Sequence, residues 1–93
     1  MFVGVAVWDL HLAGCASLKE KRRVVRSLRD RLRHQLNVSV AETDHQDLLQ
    51  RAGLAACVVS SGRRNAQQVL SSADQLVEGE PCVRIIDSSI TFY

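Results

Sequence analysis

Apolar residues recur along this chain at two periods, and the switches between the periods outline its elements. From Phe2 to Leu12 almost every position is apolar. Phe2, Ala6, Trp8, Leu10 and Leu12 point one way; Val3, Val5 and Val7 point the other, followed by Asp9 and His11. A β-branched and aromatic run broken only by Gly4 predicts a strand, and apolar character on both faces predicts a central one. Ala13 to Ala16 is a short loop. Ser17 with Glu20 three residues later forms a capping box. Leu18, Val25, Leu28, Leu32 and Leu36, widened by Val24, then make one helical stripe. Val38 to Thr43 alternates and predicts a second strand, at an edge. Asp44 to Asp47 is a polar connection. Leu54 to Ser60, entered a few residues earlier, predicts a third strand that is again apolar on both faces. Ser60 or Ser61 is expected to cap a second helix, whose stripe is Ala66, Val69, Leu70, Ala73, Leu76 and Val77. Gly79-Glu80-Pro81 ends it in the usual glycine-then-proline order. Val83 to about Phe92 is the last strand.

The order βαββαβ is that of the split-βαβ, ferredoxin-like arrangement. The expected fold class is α+β: a four-stranded antiparallel sheet with two helices on one face, residues 1–93 forming a single domain. Two helices cover one face of a sheet, yet the central strands are apolar on both. The expectation is a homodimer that buries the second face or continues the sheet edge to edge.

Composition changes this picture in one respect. Net charge is only +2 and aromatics are 4% of the chain, so the core must be largely aliphatic. The charge is unevenly placed. Eight of the twelve Lys and Arg residues fall between Leu18 and Asn37, against Glu20 and Asp30, while Arg51, Arg63, Arg64 and Arg84 face all the remaining acids. Such asymmetry creates a positive face on a nearly neutral protein. Arg22, Arg26, Arg29 and Arg33 share one helical face, with Lys19, Lys21 and Arg23 beside them. A row of this kind suits a phosphate backbone, and arginine suits bidentate phosphate contacts. The opposing view is that these charges are an ordinary solvated helix face.

Other chemistry is thinner. Three cysteines, Cys15, Cys57 and Cys82, without a CxxC spacing argue against a disulfide framework or a zinc site. Cys57 and Cys82 lie in apolar runs and read as small core residues. Cys15, just before a helix start and close to Lys19 and Lys21, is in a setting that lowers a thiol pKa. Asp9 with His11, and Asp44, His45 and Asp47, are loose groups with no guarantee of converging on a metal. The helix start at Gly14–Ser17 lacks any phosphate-loop pattern. An RNA-recognition-motif reading fails for want of aromatics on the third strand. No catalytic signature is present and no cofactor is expected. The N-terminal apolar run has no basic leader and is too short to span a bilayer, so a cytoplasmic protein with no membrane partner is expected.

The segments Ser17-Leu18-Lys19-Glu20-Lys21-Arg22, Asn37-Val38-Ser39-Val40-Ala41-Glu42 and Gln46-Asp47-Leu48 with Gln50-Arg51-Ala52 resemble the YlxP-like family of bacterial proteins, a domain of unknown function. The resemblance covers essentially the whole chain and implies a ferredoxin-like fold. The chain departs from the family's usual pattern at Ala13–Ala16, at Leu49 and in its ending, Asp87–Tyr93. Genes of this family often lie among those for translation initiation and ribosome maturation, which implies a role at RNA or the ribosome. The expected function is a non-enzymatic accessory protein that docks on RNA through Lys19, Lys21, Arg22, Arg23, Arg26, Arg29 and Arg33. Two alternatives stay open. One is a dimeric α+β barrel holding a small molecule near Trp8, Leu10, His11 and Phe92. The other is an interaction module for an acidic protein.

Overall fold

The computed structural model describes all residues, Met1–Tyr93. The elements run β1 (Phe2–Leu12), α1 (Leu18–Gln35), β2 (Ser39–Asp44), β3 (Arg51–Ser60), α2 (Arg63–Glu78) and β4 (Val83–Phe92). The strands form one sheet in the order β2-β3-β1-β4, every neighbouring pair antiparallel. This is the ferredoxin-like α+β fold that the hydrophobic pattern implies.

Side-chain parity decides what each strand buries. Ala6, Trp8, Leu10 and Leu12 of β1 and Ala52, Leu54, Ala56 and Val58 of β3 face the helices. They join Val25, Leu28 and Leu32 of α1 and Ala66, Leu70, Ala73 and Val77 of α2 in one buried cluster. Each large apolar side chain removed from water there contributes ~1.5–3 kcal/mol. Trp8 is the bulkiest, and its indole Nε1 donates to Asp74 Oδ1 at 2.9 Å, so its polar group is satisfied at the core boundary. Gly4 is set by packing: a Cβ there would lie 2.8 Å from Leu70 Cδ1 and 3.0 Å from Phe92 Cε1.

The cap of α1 forms as expected, with one shift. Glu20 N–H donates to Ser17 Oγ at 3.2 Å, but the Glu20 carboxylate reaches back to Ala16 N–H, one residue before the cap. The expectation for α2 is corrected. Its N-cap is Gly62, and no side chain caps it. Ser60 Oγ is already engaged by Gly62 N–H at 3.1 Å and Asn65 Nδ2 at 2.9 Å, which keeps Ser60 at the strand end.

The cysteine reading is also reversed. Cys82 is exposed and Cys57 is half-buried on the open face of the sheet, whereas Cys15 is in the core. Burial pushes the Cys15 thiol up, with Glu20 adding to the effect. A low-pKa nucleophile is the opposite of what this position provides.

Candidate functional site

The side chains of α1 sort by their angle around the helix axis. Leu18, Lys21, Val25, Leu28 and Leu32 follow one another at steps of three and four, so Lys21 occupies a slot in the apolar stripe. It is 2% exposed and is the one buried charged residue of the chain. Its Nζ donates to the carbonyl of His45 and lies 3.3 Å from Glu42 Oε2, an oxygen shut off from water. Lys21 therefore ties α1 to the β2–β3 connection and is unavailable to a nucleic acid. This corrects its assignment to the binding surface. The signal was present in the seven-residue gap between Leu18 and Val25, which a buried long side chain fills.

The remaining cations divide further. Arg33 donates to the carbonyl of Val40 at 2.8 Å, so its guanidinium is partly spent on β2, an edge strand. Covering an edge carbonyl with a charged side chain also blunts strand addition there. Arg29 is half-buried with its Nε enclosed and lacking a hydrogen-bond partner. Arg31 pairs with Glu80. Lys19, Arg22, Arg23 and Arg26 are exposed and make no ion pair or hydrogen bond with the rest of the chain. Their spacing of i, i+3, i+4 and i+7 places all four on one face, over ~10 Å of helix. Ser17, Glu20, Ser27, Asp30 and Arg31 complete that surface, so two carboxylates border the cations. Arg22, Arg26 and Arg29 also border a cleft of about 340 Å³ whose other wall includes Glu42, Gln46 and Asp47.

These cations stand against the helix macrodipole. The N-terminal turns of a helix favour anions, with each charge there worth ~0.3–1 kcal/mol. Glu20 is the one acid in the first turn of α1, while Lys19, Arg22 and Arg23 sit within its first two turns. Lys19, in the first turn, works against local stability, while Arg22 and Arg23 lie a turn further on, where the effect fades.

A second polar group lies on the open face of the sheet. Arg51 Nη2 donates to Asp9 Oδ2 at 2.6 Å and its Nε to Oδ1 at 3.3 Å. His45 Nε2 is 3.5 Å from Asp9 Oδ1 and 3.6 Å from Asp44 Oδ2. His45 has φ of 60°, in the left-handed region, as the chain turns out of β2. Gly53 makes this closure possible, since a Cβ there would sit 2.8 Å from Asp44 Cβ. The Arg51 hydrogen bonds hold the Asp9 carboxyl below its usual range, partly offset by burial. Asp9 is therefore an anion held by a cation, with no nucleophile beside it. No three His, Cys, Asp or Glu side chains converge as a metal site. In the sequence Asp9 and His45 fall in separate groups; their meeting depends on the β1–β3 register, which pairs Asp9 with Gly53 and His11 with Arg51.

The residues named for a small-molecule pocket do not share one space. Trp8 and Leu10 are fully within the core, while His11 is on the opposite face of the sheet. The recess beside Trp8, bordered by Ser71, Asp74, Ser88, Ser89 and Ile90, is open and about 350 Å³. No helix is long and apolar enough to cross a membrane.

Against known proteins, the family model described as protein of unknown function (DUF503) matches residues 3–90. The chain is 34% identical over 82 residues to the uncharacterized protein YlxP of Bacillus subtilis (strain 168), covering 84% of this chain and 89% of that one. Among solved structures, a putative chlorite dismutase superposes with a TM-score of 0.62 at 14% identity, over all of this chain and 44% of that one. The chain thus spans less than half the length of that protein. SnoaB, a cofactor-independent oxygenase from Streptomyces nogalater, gives 0.53 at 9% identity, covering 99% and 90%. A de novo designed protein with ferredoxin fold gives 0.50 at 15% identity, covering 100% and 83%. At these identities the likeness is one of fold.

Proposed function

The chain belongs to the DUF503 family, in company with YlxP, and we propose that it serves as a non-enzymatic accessory protein that docks on RNA, as free RNA or within the ribosome, through the outer face of α1. The observation that carries this reading is the set Lys19, Arg22, Arg23 and Arg26: four exposed cations on one helical face, unpaired within the chain, the first of them in the turn where the helix dipole disfavours a positive charge. Local rules broken without a structural return are typical of binding positions. Arg33 and Arg29 extend the surface toward β2 with part of their hydrogen-bonding capacity. Lys21 is excluded from it. Attraction is to the backbone rather than the bases, because the exposed face of α1 presents no Phe, Tyr or Trp.

The experiment is the salt dependence of binding to ribosomal subunits and to a structured RNA. Replacing Arg22, Arg23 and Arg26 by Ala removes exposed charge and leaves the core untouched. Each phosphate neutralised contributes ~0.7–0.9 to the slope of log affinity against log salt, so the triple variant is expected to flatten that slope by about 2–3. Unchanged slope and affinity in a folded variant overturn the assignment. The cytoplasm is the compartment in which such a partner is met.

A further inference from the structure

We propose that the open face of the sheet is the contact between two copies of this chain, related by a two-fold axis that crosses the strands along the Val5–Cys57 rung. This is independent of the RNA reading.

The face is built in cross-strand rungs. Val59 pairs with Val3, Cys57 with Val5 and Ala55 with Val7 in the two central strands. Ala41 lies beside Ala55 and Ser39 beside Cys57 on β2; Ser89 lies beside Val7 and Thr91 beside Val5 on β4. The result is an apolar centre with a rim of small, mostly polar and uncharged side chains, the anatomy of a protein interface. Both helices lie on the other face, so this one is bare. Val7 is 40% exposed and Val59 62%. Small residues along the rim let a second sheet approach to the ~10 Å of face-to-face packing.

Area supports a partner of this size. Three of the four strands run ten or eleven residues. At ~3.3 Å per residue and ~4.8 Å per strand, the roughly seven residues per strand centred on the Val5–Cys57 rung cover about 400 Å² in projection, and more when side-chain relief is included, which puts the contact at the small end of stable interfaces. A standard interface buries ~800 Å² per partner.

Charge fixes the orientation. Beyond the apolar rungs, Asp9 pairs with Asp87, and the next rung is Arg51, His11 and Arg84. A two-fold axis along the strands lays each rung on its own copy, acid on acid and base on base. An axis across the strands turns the partner end for end. The apolar rungs then cover one another, and each charged end projects past the partner's apolar block. The centre of the apolar block lies between Val5 and Cys57, so the two Cys57 thiols flank the axis.

The test is sedimentation equilibrium across a concentration series for the wild type, Val7→Glu, Val59→Glu and Ile90→Lys. It is paired with the rate of maleimide labelling of Cys57 in a Cys82→Ser background over the same concentrations. Circular dichroism establishes that each variant is folded. The expected result is a wild-type dimer, dissociated by either Glu substitution and indifferent to Ile90→Lys, with labelling of Cys57 slowed as the dimer forms. The labelling needs no change within the apolar face, so it decides the matter even where a Glu variant unfolds. A wild type that stays monomeric throughout overturns the proposal. So does a dimer that survives both Glu substitutions, or one broken by Ile90→Lys, which would place the contact at the β4 edge.

Discussion

The two helices bury similar stripes against the same face of the sheet, Val25, Leu28 and Leu32 from α1 and Ala66, Leu70, Ala73 and Val77 from α2. Their outer faces differ. The exposed side of α2 is dressed mainly in Gln67, Gln68, Ser71, Ser72 and Gln75. Two of its cations lie at its start, and Arg63 stacks on the Phe92 ring at 4.7 Å. Its charges, Arg63 and Arg64 against Asp74 and Glu78, cancel. The exposed side of α1 is a cluster of arginines and one lysine with little to balance them. Since α2 shows that neutral polar residues keep an outer face in water, solubility alone does not require the charge on α1, and the proposed RNA surface would give it a use.

The strongest way to break this comparison is to show that the charge on α1 serves folding. Lys21 is the one cation for which it does. Lys21→Ala strands the Glu42 carboxylate with no counter-charge and is expected to cost about 3 kcal/mol in urea denaturation. The fraction that remains folded should keep its RNA affinity. Dressing α1 like α2, with Lys19, Arg22 and Arg23 all changed to Gln, is expected to act in the opposite direction. Helix propensity hardly changes and repulsion from the dipole is relieved, so stability should hold or rise by about 1 kcal/mol, read as an unchanged or higher midpoint. A clear fall would mean that these cations have structural partners, and the comparison would collapse.

The helix starts sharpen it further. Ser17→Ala removes the side-chain cap of α1 and is expected to cost ~1 kcal/mol. Gly62→Asp supplies the cap that α2 lacks, at a position where an added Cβ meets nothing within 4 Å, and should stabilise by a few tenths of a kcal/mol. Both are read from thermal or urea midpoints. The smallest effect is on the sheet. Asp9 is held below its ordinary pKa by Arg51, so the pair contributes stability above the unfolded-state pKa and loses it as pH falls through the folded-state value. Asp9→Asn should melt slightly earlier at neutral pH, and the two melting curves should converge in acid. A constant difference across that range would show that Asp9 acts through packing.

Much of the fold was legible because the strands and helices here carry clean periods. Parity along Phe2–Leu12 assigned both faces of β1 correctly, and the six-element order left one common topology. The errors share a cause, which is that parity is local while environment is not. Cys57 belongs to an apolar run, yet its odd position puts it on the uncovered face. Cys15 reads as a loop residue, yet the turn after β1 folds it into the core. In the candidate site, the charge cluster was visible at once, but its division was not. Lys21 is withdrawn by Glu42 and His45, and Arg33 is partly engaged by Val40, residues that only the packing of α1 against β2 and its connection to β3 brings near. The Asp9–Arg51–His45 group needed the strand register.

The strand order has a consequence for how the chain is made. β1 is synthesised first and lies between β3 and β4, with Val5 beside Thr91. Until the residues of β4 have been translated, a nascent chain has an unpaired edge on its most apolar strand. Such edges recruit other chains. The sheet closes on its last-made strand, so a product truncated before β4 would be prone to aggregate even though both helices and three strands had already been translated.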